Sequence, residues 1–188
     1  MILLLAFFLV GAPFQLKSPP PKKVEESTEG SRRFTGAHTL NDQIFDDING
    51  QGLLKLHGTK VLGHLRVDGS LLARSARIGY LEVYGEANLA NTTIEQASTI
   101  IGYLRAEGAI FKGALILGAQ KAVFTNTKLQ SITVRKETSF KGKQIIELKH
   151  KTIVDGPITF ESGKGEIYLY PGSQILDTVT GAKIIRKN

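Results

Sequence analysis

The chain contains no cysteine and no tryptophan, one methionine and four histidines. Without cysteine there is no disulfide framework, no thiolate nucleophile and no sulfur ligand for zinc, and the cysteine count is silent on the redox compartment. The histidines, His38, His57, His64 and His150, do not fall at metal-ligand spacings, and His57 and His64 flank a turn. No serine lies in a Gly-x-Ser-x-Gly context, and neither a phosphate loop nor a dinucleotide fingerprint is present. Beyond the first ten residues there is no long apolar run.

What is present is glycine, 20 residues of 188, together with Ile, Leu, Val and Ala as the main apolar types. That composition suits stacked short strands better than a helical bundle. The phrase Ile-Gly-Tyr-Leu-x-x-x-Gly occurs at Ile78 to Gly85 and again at Ile101 to Gly108, with a looser copy from Gly63 to Gly69. A short alternating strand closed by glycine and repeated after a polar interval is the mark of a solenoid. Apolar residues two apart predict strands at Leu53–Leu56, Leu65–Val67, Leu81–Val83, Leu104–Ala106, Leu115–Leu117, Ile132–Val134, Ile145–Leu148, Ile158–Phe160 and Ile167–Leu169. Further apolar pegs recur between them, among them Leu71, Ile78, Leu89, Phe111, Phe124, Leu129, Phe140, Ile153 and Ile175.

The glycines taken as equivalent are unevenly spaced, 11 residues from Gly58 to Gly69, 16 from Gly69 to Gly85 and 23 from Gly85 to Gly108. A turn of about sixteen to eighteen residues with loop insertions accommodates the last two intervals. Apolar residues do not keep a six-residue beat, which argues against a left-handed hexapeptide coil. The expected fold is all-β, a single-stranded right-handed parallel β-helix behind a disordered N-terminal tail. Tyr80 and Tyr103, in the two matching phrases, are expected to stack along a shared corner. Asn88, Asn91, Thr92, Thr93, Thr99, Asn126 and Thr127 fall between strands, where such residues bond to backbone at corners.

Four segments follow. Residues 1–14 carry the apolar run MILLLAFFLV and then Gly11, Ala12 and Pro13, and read as a signal peptide or membrane anchor. No basic residue precedes the run, and Pro13 is a poor residue at a cut site. Residues 15–33, rich in Pro, Lys, Glu and Ser, cannot bury enough surface to offset their ordering entropy and read as a linker. Residues 34–50 carry Leu40, Ile44, Phe45 and Ile48 at spacings that fit a helical face or a short strand, and read as an N-terminal cap. Residues 51–188 are the β-helix domain.

The formal charge of +7 permits contact with polyanions, but the cations are dispersed singly or in doublets with no aromatic-interleaved basic motif, so no nucleic-acid partner is expected. Asp42, Asp46 and Asp47 lack the spacing of a metal loop and read as cap carboxylates. The outward acids Asp68, Glu82, Glu107 and Glu147 are isolated, and Glu82 and Glu107 sit at different offsets from their leucines, so they do not pair for glycan cleavage. Neither a catalytic residue nor a cofactor or metal site is expected.

The repeated phrase and the ending Gly165-Glu166-Ile167-Tyr168-Leu169, Gly172-Ser173-Gln174-Ile175 and Val179 to Ile185 resemble the bactofilins, bacterial polymer-forming cytoskeletal proteins. The resemblance covers Leu53 to Ile185. It implies a compact β-helix with flexible tails that assembles end to end without nucleotide, often near a membrane. The rungs here are less regular than those of bactofilins, and a cleavable signal is foreign to a cytoplasmic filament. The reading that results is a non-enzymatic scaffold of the bacterial cell envelope, exported or membrane-anchored, with a cytoplasmic membrane-associated protein as the alternative location. Its partners are copies of itself and, through the apolar N-terminus, the membrane. End stacking places Leu53, Leu56, Ile175 and Ile184 at the junction, with Phe160 as a core peg. The rival reading is an exported module that binds anionic or cell-wall polysaccharide with a flat basic face.

Overall fold

The computed structural model describes residues 28–137 and 142–188. They contain sixteen strands and no helix. The first eight are β1 (Arg32–Asn41), β2 (Ile44–Phe45), β3 (Ile48–His57), β4 (Lys60–Arg74), β5 (Arg77–Ala90), β6 (Thr93–Ile94), β7 (Ser98–Glu107) and β8 (Ile110–Thr125). The rest are β9 (Lys128–Val134), β10 (Ile145–Lys149), β11 (Ile153–Val154), β12 (Ile158–Phe160), β13 (Gly165–Leu169), β14 (Gln174–Ile175), β15 (Val179–Thr180) and β16 (Ala182–Arg186). Every pairing is parallel, and one continuous sheet winds through β1-β3-β4-β5-β6-β8-β10-β13-β16. The molecule is an all-β solenoid of nine levels, about 40 Å long at the ordinary spacing of neighbouring strands. All nine strands expected from period two are present.

Each turn has three faces, and each face buries alternate residues. On the first face Ile48, Leu65, Leu81, Ser98, Leu115, Ile132 and Ile158 stack in one inward column. On the third, Phe45, Val61, Ile78, Ile94, Phe111, Leu129 and Val154 do the same. The second face carries two inward columns whose sizes alternate. Leu71, Ala87, Leu104 and Ala122 follow one another in the first column, and Ala73, Leu89, Ala106 and Phe124 in the second. Each of these turns therefore sets one large and one small side chain side by side, and the next turn reverses them. Such interdigitation fills the interior at native density without a void.

The corners explain the glycines. Between the first and second faces, Gly36, Gly52, Gly69, Gly85 and Gly102 stack directly, each with positive φ. A Cβ on Gly102 would stand 2.0 Å from the Gly85 carbonyl oxygen, so no other residue fits. Between the second and third faces the chain passes through the left-handed region at Asp42, Gly58, Ser75, Asn91, Gly108 and Asn126, residue types that tolerate it. The next residue points inward: Thr59, Ala76, Thr92, Ala109 and Thr127 are all buried. The Thr92 hydroxyl lies 3.0 Å from the Ala90 carbonyl of its own turn and 3.3 Å from the Ala73 carbonyl of the turn before, and Thr59 and Thr127 repeat the arrangement. Thr92 and Thr127 thus take the corner role expected of them, with Asn91 and Asn126 at the same corner, whereas Asn88, Thr93 and Thr99 lie within β5, β6 and β7.

Four expectations are corrected. The two copies of Ile-Gly-Tyr-Leu are not structural equivalents: Ile78 is buried on the third face, whereas Ile101 points outward beside Tyr84 on the first. The partner of Gly85 is Gly102, 17 residues on, and Gly108 belongs to the other corner, against Asn91. Tyr80 and Tyr103 share no corner, since Tyr80 stacks on His64 with centroids 4.5 Å apart and Tyr103 lies beside Glu86. The coil also starts earlier than expected. Residues 34–50, read as a cap, and Arg32–Arg33, read as linker, form the first turn and the beginning of the second, because Leu40, Phe45 and Ile48 continue the inward columns.

Turn length is 16 or 17 residues at the start, with Arg32 beside Ile48 and Ile48 beside Leu65. It rises to 24 where Lys121 meets Ile145 and is 21 where Ile145 meets Glu166, so the insertions fall late in the coil. Ile153 faces outward, half-buried. Segment 1–14, most of segment 15–33 and Phe140 lie outside the described residues.

Candidate functional site

A solenoid has two ends, and β1 and β16 are the edge strands there. At the N-terminal end the arriving chain already covers part of the edge: the Glu29 amide donates to the Ile44 carbonyl at 2.7 Å and the Asp46 amide donates to the Gly30 carbonyl at 3.1 Å. Among the described residues the ten residues of β1 have no strand partner on their outer side. Its inward positions are Arg32 above Ile48, Phe34 above Gly50, His38 above Leu54 and Leu40 above Leu56. Phe34 meets Phe45 edge-on at 6.1 Å, and the His38 ring lies 5.1 Å from it. The His38 imidazole is tied to the Thr35 carbonyl by a 2.9 Å contact.

At the C-terminal end Ile175 lies below Val154, Val179 below Ile158, Ile184 below Ile167 and Arg186 below Leu169. They and Leu176 line an open depression of about 510 Å³. Leu176 is 60% and Ile184 41% exposed. Ile175, Val179 and Ile184 end columns that are buried in the turn directly above, at Val154, Ile158 and Ile167, whereas Leu176 follows the exposed Asp155.

Two of the four residues expected at the ends are there, Ile175 and Ile184. The other two are not. Leu56 is fully buried between Leu40 and Ala73, and Leu53 faces outward, half-buried, between Ala37 and Ser70. The first turn, which their selection left out, covers them. Phe160 is a buried peg below Val134. Missed by the sequence reading were the two arginines, Arg32 and Arg186, that occupy core columns in the first and last turns. An inward charge at an edge is a device against unselective strand pairing. Arg32 pairs with Glu29 at 3.5 Å and has Arg33 beside it, while Lys183 and Lys187 flank Arg186.

The outer faces hold charged networks: Glu95 joins Arg77 at 3.5 Å to Lys112 at 2.6 Å, and two others contain the acids Asp68, Glu82 and Glu147. Arg66 pairs with Glu82 at 3.1 Å and Asp68 at 3.5 Å, and its guanidinium lies 4.6 Å from the Tyr84 ring centroid. The Tyr84 hydroxyl donates to Glu82 at 2.7 Å, and that bond raises its pKa above the ordinary phenol value. Further along, Glu147 is buried between Lys121 at 2.8 Å and Lys149 at 2.6 Å. Burial opposes the charge on this carboxylate, but the two lysine hydrogen bonds outweigh it and hold its pKa below the ordinary range. In each a cation ties one turn to the next, Arg66 reaching Glu82 and Lys121 reaching Glu147.

The remaining sequence candidates are corner residues. Asp47 accepts the His64 amide at 2.7 Å and the Ser31 hydroxyl at 3.0 Å, which lowers its pKa. Asp42 sits at a left-handed corner against Gly58. Among the described residues no group of three His, Asp or Glu side chains is placed to hold a metal ion, and no helix is long and apolar enough to cross a membrane. Comparison with known proteins returned no matching family model, no matching curated protein and no matching solved structure.

Proposed function

We propose that the chain is a non-enzymatic scaffold, bactofilin-like in design, that self-associates end to end at the cell envelope. One observation carries the reading: the last turn leaves the flank of the core open at Ile175, Leu176, Val179 and Ile184, while at the other end β1 offers a ten-residue edge that no strand pairs among the described residues. Head-to-tail stacking satisfies both, since the strands of one copy run parallel to those of the next and the three faces continue. Such a contact is heterologous and does not close on itself, so it yields filaments. The apolar residues of segment 1–14 support attachment or export. Like charges at the two ends, Arg32 and Arg33 against Lys183, Arg186 and Lys187, oppose the junction at low salt.

The test is sedimentation velocity and negative-stain microscopy of the full chain beside Leu176→Asp and Ile184→Asp. Both side chains are exposed, so the fold persists, as circular dichroism will verify. Filaments in the wild type and their loss in both variants support the reading. A wild type that stays monomeric at high concentration and raised salt, or variants that assemble unchanged, overturns it.

A further inference from the structure

The last three turns round the corner from the first to the second face with a repeated pairing of glycine and lysine: Gly142-Lys143, Gly163-Lys164 and Gly181-Ala182-Lys183. Register brings the lysines together. Ile145 lies beside Glu166, so Lys143 and Lys164, each two residues earlier, enter neighbouring turns at the same level, and Lys183 lies beside Glu166. The three line one open concavity of about 790 Å³, whose only carboxylate among the described residues is Glu166.

The charges in this concavity do not balance. Lys143 is bonded to Glu166, which also accepts the Tyr168 hydroxyl at 3.0 Å. Lys164 has neither a hydrogen bond nor an ion pair through its side chain among the described residues, and Lys183 feels Glu166 only at a distance. Lys143 and Lys164 stand at matching positions just before β10 and β13, and Lys183 on β16 faces Glu166 on β13, so three cations share one carboxylate. Packing does not call for them: after its glycine, the same corner carries Ala37, Leu53, Ser70, Glu86 and Tyr103 in the first five turns. An excess of one charge that the fold does not require marks a site of interaction.

The chemistry of the lining selects the ligand. Lysine is a compact point charge on a flexible stem, whereas planar carboxylates are met best by the arginine fork. Three ammonium groups converging on one concavity suit a small centre of high negative charge. Glycine walls let such a group approach the backbone closely. The volume exceeds that of one phosphate and admits two, or one with the rest of a headgroup.

We propose that this glycine-lysine corner binds a phosphate-bearing ligand, with Lys143, Lys164 and Lys183 as cationic arms and Glu166 as an internal competitor that the ligand displaces from Lys143. Lys183 also belongs to the last turn, which the proposed junction uses, so binding is read at a protein concentration at which sedimentation shows a monomer.

The experiment is isothermal titration of the full chain with pyrophosphate at constant ionic strength. The wild type binds saturably at one site per chain. Lys164→Gln/Lys183→Gln weakens binding about tenfold or more through the loss of two charged contacts, and Glu166→Gln strengthens it severalfold. Arg74→Gln/Arg105→Gln, which removes two cations elsewhere on the coil, leaves affinity unchanged. Flotation with phosphatidic acid and phosphatidylcholine vesicles identifies the source of the phosphate. Lysine-dependent capture by phosphatidic acid alone assigns the site to a lipid headgroup, and pyrophosphate binding without capture assigns it to a soluble ligand. Absence of both saturable titration and lysine-dependent capture, or an equal loss in the arginine variant, overturns the proposal.

Discussion

Gly102 lies directly beneath Gly85, and a Cβ on the lower residue would stand 2.0 Å from the upper carbonyl oxygen, at a φ of 135°. Backbone cannot move aside there, because five glycines stack in the same file. Gly102→Ala is therefore expected to destabilise the coil by more than about 3 kcal/mol, the sum of a steric clash and an unfavourable φ. Gly36, at the top of the file, has a positive φ and nothing within 4 Å of its Cβ direction. Gly36→Ala will cost only about 1–2 kcal/mol. Urea denaturation of both variants checks the contrast, and equal losses would mean that φ alone, and not stacking, fixes these glycines.

The alternation of size on the second face makes a second claim. Leu104 and Ala106 share one turn, with Ala87 and Leu89 above them in the opposite order. Leu104→Ala opens a cavity and is expected to cost about 2–5 kcal/mol, and Ala106→Leu overfills its column at a cost of about 1–3 kcal/mol. Each error relieves the other only in part, because the swapped pair then matches the turn above instead of interlocking with it. The double variant should be more stable than the sum of the singles by about 1 kcal/mol, measured as a double-mutant cycle. Strict additivity would show that the columns pack independently.

These relationships set the limit of what the sequence discloses. Period two is local, so pairs such as Leu65/Val67 and Ile158/Phe160 announce their strands within three residues. Which corner a glycine occupies is not local, since it depends on stacking across 16 or more residues. The repeated Ile-Gly-Tyr-Leu phrase therefore misleads: it serves the third-to-first corner once and the first-to-second corner once. The ends were half legible. Ile175 and Ile184 close the last turn visibly, but the first turn hides behind Arg32 and His38, polar residues at inward positions. The offset of 16 from Gly36 to Gly52 and from Leu40 to Leu56 is the signal that locates it.

Glu147 couples the stability of the coil to pH. Its pKa in the folded chain lies below the ordinary value of 4.5, so the unfolded chain binds its proton first as pH falls. The stabilisation it provides is complete above pH 4.5 and is lost as pH drops through the lowered folded value. Glu147→Gln is expected to reduce stability at pH 7 by about 1–2 kcal/mol, since Lys121 and Lys149 lose their counter-charge. It should also flatten the fall in melting temperature between pH 4.5 and strongly acidic conditions. A variant whose acid limb runs parallel to that of the wild type would show that other carboxylates control it.

Arg186 continues the column that runs through Phe124, Leu148 and Leu169, the one charged side chain in that file among the described residues. In a head-to-tail stack with the faces in register it meets Leu40 of the next copy, the residue that opens the same column. A guanidinium enclosed there without an acid costs several kcal/mol, so Arg186 sets a threshold that the aliphatic contacts of Ile175 and Ile184 must exceed. Arg186→Leu removes the threshold and extends the apolar column by one residue. We expect the variant to assemble at a protein concentration at least about tenfold lower than the wild type, the equivalent of 1.4 kcal/mol per junction, with weaker dependence on salt. Arg186→Glu is not expected to do the same, because its carboxylate also meets the uncharged Leu40 and is enclosed without a cation, while Arg32 stands over Ile48 in another column. Sedimentation across a range of sodium chloride concentrations reads both variants. If Arg186→Leu remains as monomeric as a wild type that does assemble at higher concentration, the last turn is not the face that the next copy meets.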